Sequence, residues 1–254
     1  MSEPEVLLRS FELTRRWGGL VALNKVSLEL ERRSVHAVIG PNGAGKSTLI
    51  NILSGEIEPS SGRIELLGQD ATKWAQPRRA RAGLGRSYQR NTIYPSFSVF
   101  ENCRLAAQMR LPRPWAFWQD AQRCTVSATA AREAAARAGL AGMLERTAGL
   151  LSHGQKRQLE IAMCLATNPV VLLLDEPLAG MGAEETERML ALLAELKQRH
   201  AILLVEHDMD AVFRIAERIT VMVNGAVIAS GSPDFVRNNA AVRLAYLGEP
   251  DDGQ

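Results

Sequence analysis

The chain has 254 residues, of which 46% are hydrophobic and 23% are charged. This is the composition of an ordinary globular protein and excludes a disordered or fibrous chain. Thirty Lys and Arg residues against 28 Asp and Glu residues leave a net charge of +2. So small a charge creates no overall field that would attract nucleic acid or anionic lipid, and we expect no nucleic-acid partner.

The cysteines and the apolar segments indicate the compartment. Cys103, Cys124 and Cys164 are odd in number and far apart, which argues against a disulfide framework or a zinc site and favours reduced thiols in a cytosolic protein. The first residues lack the basic and apolar regions of a secretory signal. The longest apolar runs, residues 170–174 and 201–205, are far shorter than the ~20 residues of a membrane-spanning helix. We therefore expect any work at a membrane to depend on a partner.

The first third of the chain predicts mainly strands, and the middle predicts helices. Strands are expected over residues 7–13, 26–30 and 35–39, followed by a helix over residues 46–53 and a hairpin element over residues 63–68. From about residue 92 to residue 148, prolines punctuate alanine-rich stretches, which indicates a helical insertion.

The last third alternates between helix and strand. Helices are expected over residues 155–166, 183–199 and 209–216, and strands over residues 170–174, 201–205 and 220–223. This alternation predicts a parallel sheet covered by helices.

Residues 40–47, Gly-Pro-Asn-Gly-Ala-Gly-Lys-Ser, fit the pattern G-x-x-x-x-G-K-[ST]. We call them the phosphate loop. The loop follows an apolar strand and precedes a helix, which is the context that the pattern requires. Its backbone amides would surround phosphate oxygens, Lys46 would lie near the β- and γ-phosphates, and the Ser47 hydroxyl would ligate Mg²⁺. The sequence therefore predicts a nucleoside triphosphate site.

Two acids, Asp175 and Glu176, end the apolar strand over residues 170–174. Ligands of α/β sheets bind at the carboxyl ends of the strands. Adjacent strand residues point to opposite sides, so the two acids need different roles. We expect Asp175 to reach Mg²⁺ through water and Glu176 to polarise the attacking water.

Three further features specify the kind of nucleotide-binding protein. Residues 151–155, Leu-Ser-His-Gly-Gln, open a helix before the Asp175 strand; we call them the signature segment. Gln89 follows residues 85–88, and His207 follows the strand over residues 201–205. Together with the phosphate loop, these features resemble the ABC transporter ATPase family, in the family's order and over nearly the whole chain.

The resemblance implies an α/β P-loop NTPase fold with a RecA-like parallel-sheet core, an N-terminal antiparallel β subdomain and an inserted helical subdomain. It implies one domain over residues 6–250. Residues from about 6 to 90 and from about 165 to 250 would form the nucleotide-binding core with the β subdomain. Residues from about 91 to 164 would form the helical subdomain with the signature segment.

The resemblance also implies roles for individual residues. Glu176, His207 and Gln89 would be catalytic, and Ser47, Gln89 and Asp175 would serve the metal ion. His207 would hold the γ-phosphate and orient Glu176. The nucleotide would contact Trp17, which would stack on adenine, and Gly40, Pro41, Asn42, Gly43, Ala44, Gly45, Lys46, Ser47, Thr48, Ser152, Gly154 and Gln155.

Ser152 and Gly154 would contact the γ-phosphate held by a second subunit, because the family works as a head-to-tail dimer. The chain departs from the family at two points. His153 stands where the commoner signature has glycine, which bears on packing at the dimer seam. Gly182 stands where many members have an aspartate, so we assign no carboxylate contact across the dimer.

Within the family, the chain is most similar to ATPases of branched-chain amino-acid uptake systems. The features are residues 179–181, residues 205–209 and the ending over residues 245–249. The implied cofactors are ATP and Mg²⁺. The implied partners are a second ATPase subunit, identical or paralogous, two membrane permease subunits and, indirectly, an extracytoplasmic solute-binding protein. The implied location is peripheral, at the cytoplasmic face of the inner membrane.

Other functions remain as alternatives. They are a urea or short-amide importer, an exporter ATPase, a soluble ABC-type ATPase acting on DNA or ribosomes, and a metabolic P-loop kinase. The soluble class usually has long coiled-coil insertions or two cassettes, and a kinase would not need the signature segment.

Several residues outside these motifs are interpreted structurally. The arginines of the basic run are expected on a solvated face, and His36 and His200 are expected to be structural or exposed. The aromatic run over residues 115–118 is interpreted as core, with a docking surface as the alternative. The basic run comprises Arg78, Arg79, Arg81, Arg86 and Arg90.

Overall fold

The structure is a computed structural model and describes residues 6–87, 93–110 and 124–247. Its strands are β1 (Val6–Trp17), β2 (Leu20–Glu31), β3 (Val35–Ile39), β4 (Ser61–Leu66), β5 (Gln69–Asp70), β6 (Leu84–Arg86), β7 (Val171–Asp175), β8 (Ala201–Val205), β9 (Arg218–Val223) and β10 (Ala226–Gly231). Its helices are α1 (Lys46–Ser54), α2 (Gln76–Arg81), α3 (Val99–Ala107), α4 (Thr125–Arg137), α5 (His153–Ala166), α6 (Ala183–Leu196), α7 (Met209–Ile215), α8 (Pro233–Asn238) and α9 (Ala240–Leu247).

The strands form two sheets. The N-terminal sheet has the order β2-β1-β4-β5, and its strands pair antiparallel. The central sheet has the order β10-β9-β3-β8-β7-β6. Its strands pair parallel, except that β10 pairs antiparallel with β9. The carboxyl ends of β3, β7 and β8 therefore meet at one edge, which is where the phosphate loop and the two acids leave the sheet.

The central sheet separates two apolar clusters. Along β7, Leu172 and Leu174 face the cluster that contains α5 and α6, whereas Val171 and Leu173 face the cluster that contains α1 and the N-terminal sheet. Both faces of the strand are thus buried. This explains why the sequences of the parallel strands are continuous apolar runs and do not alternate between apolar and polar residues.

The predicted helical insertion is helical in the part that the structure describes. Helices α3, α4 and α5 pack against one another. Capping boxes begin two of them: Ser98 with Glu101 at α3, and Ser152 with Gln155 at α5. Among the described residues, no helix is both long enough and apolar enough to cross a lipid bilayer.

The observed elements differ from the predicted ones in some bounds and in several short segments that were not predicted. Strands β1 and β2 are longer than expected, and α5 begins at His153 instead of residue 155. The sequence reasoning missed α2, β6, β10, α8 and α9. β6 spans three residues, too few for a periodic pattern to be visible.

The interpretation of the basic run as a solvated face was wrong for Arg79. This side chain is 1% exposed. Its guanidinium donates to the backbone carbonyls of Ile52, Leu53, Trp74 and Thr72, at 2.8, 2.7, 2.9 and 3.1 Å. Burial lowers its pKa to about 10. Arg79 therefore joins the end of α1 to the segment before α2.

Arg86 is also not on a solvated face, because its side chain is 8% exposed. Its guanidinium donates to Ser54 Oγ and pairs with Glu56, both at 2.6 Å. Arg81 is exposed, and Arg78 lies over the Trp74 ring at 4.1 Å. Arg90 and the aromatic run over residues 115–118 lie outside the described residues.

His36 and His200, which were expected to be structural or exposed, are both buried. His36 donates from Nδ1 to the Glu29 carbonyl at 2.7 Å, so its Nε2 accepts from the Thr220 hydroxyl, also at 2.7 Å. His200 donates from Nδ1 to the Pro169 carbonyl at 3.0 Å. Desolvation by burial is the main cause that lowers the pKa of each imidazole to about 4.

Candidate functional site

The phosphate loop connects β3 to α1 and depends on glycine where it approaches other backbone. A Cβ at Gly40 would lie 2.2 Å from the Met222 carbonyl oxygen. A Cβ at Gly45, which has φ +97°, would lie 2.6 Å from the Ala22 carbonyl oxygen. Gly45 is also the N-cap of α1 and provides no side-chain cap. The first amides of α1 thus remain available to an anion.

Lys46 folds back over the phosphate loop. Its ammonium donates to the carbonyls of Gly40 and Pro41 at 2.6 and 3.1 Å, and the residue is 8% exposed. Burial lowers the pKa of Lys46, while the nearby carboxylates of Glu176 and Asp175 act in the opposite direction. A cation is therefore held beside the two acids.

A cavity of about 490 Å³ opens beside this loop. It is lined by residues 42–48, residues 20–22, Trp17, Glu176 and Asn224. Trp17 is 42% exposed, and the Arg15 guanidinium lies 5.0 Å from its ring. The volume suits a ligand of nucleotide size. The structure thus brings the predicted aromatic residue, most of the phosphate loop and one predicted catalytic acid to one cavity.

The two acids that end β7 have different environments, as their alternation predicts. Asp175 is 3% exposed, and burial raises its pKa, an effect that Arg86 and Lys46 partly oppose. Its Oδ1 is buried and accepts no hydrogen bond within the described part of the chain. Such an oxygen suits a cation ligand. Glu176 is half-buried, adopts φ +50°, and donates its amide to the Val205 carbonyl at 2.9 Å.

Sequence reasoning missed the role of Glu206, which is fully buried. One carboxylate oxygen accepts from the Leu178 amide at 2.8 Å, and the other accepts from the His207 amide at 3.2 Å. Burial raises the pKa of Glu206. The side chain therefore ties the loop after Glu176 to the residue after β8. The sequence feature that could have identified Glu206 is its position directly after an apolar strand, where α/β sheets bind ligands.

His207 lies at the same edge of the sheet. Its side chain is 62% exposed, and its Nδ1 is 3.8 Å from Glu206 Oε2. Gln89 falls outside the described residues.

The signature segment lies at a different cavity, of about 160 Å³, which Ser152, Gly154 and Gln155 help to line. Ser152 is the N-cap of α5, and its capping box uses the Gln155 side chain. Among the residues that the structure describes, none lines both this cavity and the one beside the phosphate loop. The predicted nucleotide contacts thus form two separate groups on one chain.

Two contacts join the signature segment to the segment after Glu176. His153 donates from Nε2 to the Ala179 carbonyl at 2.9 Å, so the residue that departs from the family pattern makes a contact within the chain. The Ser152 hydroxyl donates to Glu185 Oε1 at 3.1 Å. Sequence reasoning assigned no contact to Glu185, which it noted only within the run over residues 184–188 as compatible with a urea or short-amide importer.

Comparison with known proteins identifies the family of the chain. The ABC transporter family profile matches residues 23–179, and the profile of the branched-chain amino acid ATP-binding cassette transporter matches residues 226–252. One relative is the high-affinity branched-chain amino acid transport ATP-binding protein BraF of Pseudomonas aeruginosa. It is 38% identical over 98% of this chain and 100% of its own length. The corresponding LivG protein of Escherichia coli is 40% identical with the same coverage.

Solved structures of the same family have the same fold as this chain. A nucleotide-free ATP-binding cassette of an ABC transporter superposes with a TM-score of 0.86 at 28% identity, covering 96% of this chain and 100% of that one. The ADP conformation of an ATP-binding cassette superposes with a TM-score of 0.85 at 29% identity and the same coverage. The predicted fold class is therefore confirmed, and the chain belongs to the ABC transporter family as an ATP-binding protein.

Proposed function

We propose that this chain is the ATP-hydrolysing subunit of an importer that takes up branched-chain or other hydrophobic amino acids. The observation that carries the proposal is the cavity that joins the phosphate loop to Trp17 and Glu176, together with the separate signature segment. The branched-chain amino acid transport for which the relatives are named, and the family match over residues 226–252, support this class of solute.

The proposed nucleotide contacts follow from the cavity. The amides of residues 42–48 bind the phosphates, Lys46 pairs with the β- and γ-phosphates, and Trp17 stacks on adenine. For Lys46 to do so, its ammonium exchanges the carbonyls of Gly40 and Pro41 for phosphate oxygens. The charge-assisted contacts to phosphate are the stronger ones.

The residues present fit Mg²⁺, since the Asp175 carboxylate has a buried oxygen that accepts no hydrogen bond from the described residues. The Ser47 hydroxyl, Asp175 through water, and Gln89 would hold the ion. When bound, Mg²⁺ supplies neutralisation of phosphate charge.

In the proposed reaction, Glu176 accepts a proton from the water that attacks the γ-phosphate, and His207 contacts that phosphate and orients Glu176. General base catalysis of this kind contributes about 10²–10⁴-fold. Positioning and charge neutralisation supply most of the remaining acceleration. Glu206 holds the segments that carry Glu176 and His207 at a fixed separation.

Two copies complete the site in this proposal. Ser152 and Gly154 of one chain contact the γ-phosphate held by the phosphate loop of its partner, identical or paralogous, in a head-to-tail dimer. The separation of the two groups of residues on each chain supports this arrangement. Residues 6–250 act as one domain, with residues from about 91 to 164 as its helical subdomain.

The proposed partners in the membrane are two permease subunits, served by an extracytoplasmic solute-binding protein, with this chain at the cytoplasmic face. A groove of about 630 Å³ between α2, β6, α3 and α5 supports a docking site. Its apolar lining includes Tyr94, Leu105 and Met109, which are 48, 38 and 44% exposed. Exposed apolar patches of this kind typically mark sites of protein interaction.

A urea or short-amide importer is the alternative, and uptake measurements separate the two. We expect deletion of the gene to abolish uptake of radiolabelled leucine and to leave urea uptake unchanged. The wild-type chain should restore leucine uptake, whereas Glu176→Gln, which slows hydrolysis about 10²–10⁴-fold, should not. Loss of urea uptake alone would contradict the proposed solute, and restoration by Glu176→Gln would contradict the proposed base.

A further inference from the structure

An acidic side chain covers the phosphate-binding end of the signature segment. The Ser152 hydroxyl donates to Glu185 Oε1 at 3.1 Å. A Cβ built on Gly154 would lie 2.8 Å from the Glu185 carboxyl carbon. Glu185 is half-buried and, with Ser152 and Gly154, lines the 160 Å³ cavity. Its carboxylate thus touches the same two residues that the proposed function assigns to the partner's γ-phosphate.

The negative charge of the Glu185 carboxylate suits its position at the N-terminal end of α5. The capping box occupies the amides of Ser152 and Gln155, and the amides of His153 and Gly154 have no acceptor within the helix. The N-terminal end of a helix has a partial positive charge and favours an anion. Glu185, from the first turn of α6, supplies one.

The neighbouring acid behaves differently. The Glu184 side chain is 86% exposed and pairs with Arg188 at 3.2 Å, one turn along the same helix. The contact at Ser152 is therefore specific to Glu185 and is not a general property of acids in this turn.

We propose that Glu185 is a further residue of the composite nucleotide site, and that its carboxylate occupies the γ-phosphate position until ATP on the partner chain displaces it. This inference rests on the proposed function. Two anions cannot share the Ser152 hydroxyl and the Gly154 backbone, so the carboxylate must leave before the dimer closes. The Glu185 carboxylate therefore opposes closure of the dimer until ATP on the partner chain displaces it.

The test measures ATP-dependent dimerisation of the full-length chain carrying Glu176→Gln, which preserves bound ATP. Sedimentation velocity at saturating MgATP gives the dimer dissociation constant, for the chain with itself or with a paralogous ATPase. Adding Glu185→Gln should lower that constant by about 10-fold, which corresponds to ~1.4 kcal/mol. Adding Glu184→Gln should change it by less than about 3-fold, since an exposed ion pair contributes little.

The two variants are matched, because each removes one negative charge from the same helical turn. Binding of a fluorescent ATP analogue to the single chain should be unchanged in both, since Glu185 does not line the cavity beside the phosphate loop. If Glu185→Gln dimerises no more tightly than Glu184→Gln, this inference is overturned and the proposed function stands. If no variant dimerises with ATP, alone or with a paralogue, the composite site itself is overturned, and the inference with it.

Discussion

Glu206 accepts a hydrogen bond from the Leu178 amide at 2.8 Å, across the ends of two adjacent parallel strands. Its second oxygen accepts from the His207 amide. In Glu206→Gln, one of these amides would face an NH₂ group in place of an oxygen. We expect hydrolysis to slow by about 10- to 100-fold through misplacement of the catalytic groups, with ATP affinity unchanged.

Steady-state hydrolysis and titration with a fluorescent ATP analogue check this expectation. Asp210→Asn is the control, because Asp210 is an exposed acid in the following helix. Equal rates for Glu206→Gln and Asp210→Asn would contradict a positioning role for Glu206.

Lys46→Ala tests the phosphate loop. The substitution removes the buried cation that would pair with the phosphates, and a hydrogen bond to a charged group contributes about 1.5–3 kcal/mol. ATP affinity should therefore fall about 10- to 100-fold. Lys73→Ala, which alters an exposed lysine, should bind ATP normally. Normal titration of Lys46→Ala would remove this lysine from the nucleotide site.

Arg79→Met tests a contact that holds the end of α1. Without the guanidinium, four backbone carbonyls lose a donor. The Ile52 carbonyl keeps its bond from the Gly55 amide, and each buried group left unsatisfied costs about 1–3 kcal/mol. Urea unfolding should show a loss of at least about 3 kcal/mol, whereas Arg78→Met should lose about 1 kcal/mol or less. Similar losses in the free energy of unfolding for Arg79→Met and Arg78→Met would show that the buried contacts of Arg79 do not stabilise the fold.

Stability should fall on acidification because of His36. Its pKa is about 4 in the folded chain, against about 6.5 when unfolded. Above the unfolded value both states are neutral. As the pH falls from about 6.5 to about 4, the unfolded chain takes up a proton that the folded chain does not, so the free energy of unfolding decreases.

Between about pH 7 and about pH 5, His36 should account for a loss of about 2 kcal/mol. Urea unfolding at the two pH values measures this loss, and His36→Asn should reduce it by that amount. An identical pH dependence in the variant would show that His36 does not titrate as described.

Four of the six strands of the central sheet, and the nucleotide motifs, could be predicted from the sequence because their signals are local. β7 and β8 are continuous apolar runs, and the phosphate loop is a contiguous pattern between a strand and a helix. Glu176 was likewise assigned from the apolar strand that it follows. Each of these features is determined by residues within a few positions of one another.

The environments of Arg79 and Glu185, which sequence reasoning missed, depend on contacts between distant segments. The acceptors of Arg79 include Ile52 and Leu53, which lie more than twenty residues away. Glu185 meets Ser152 only because α5 packs against α6. Arg79 in a basic run and Glu185 in an acidic turn both have the local pattern of solvated residues. Tertiary packing, which local pattern does not encode, changes both environments.

The central claim is that one chain holds two incomplete parts of a nucleotide site and needs a second chain to hydrolyse ATP. The most direct test measures the hydrolysis rate per chain over a wide range of chain concentrations, with sedimentation at each one, for the chain alone and mixed with a paralogous ATPase. We expect the rate per chain to rise with the dimeric fraction and to approach zero as the dimer dissociates. A constant rate per chain, from a particle that remains monomeric throughout, would contradict the account.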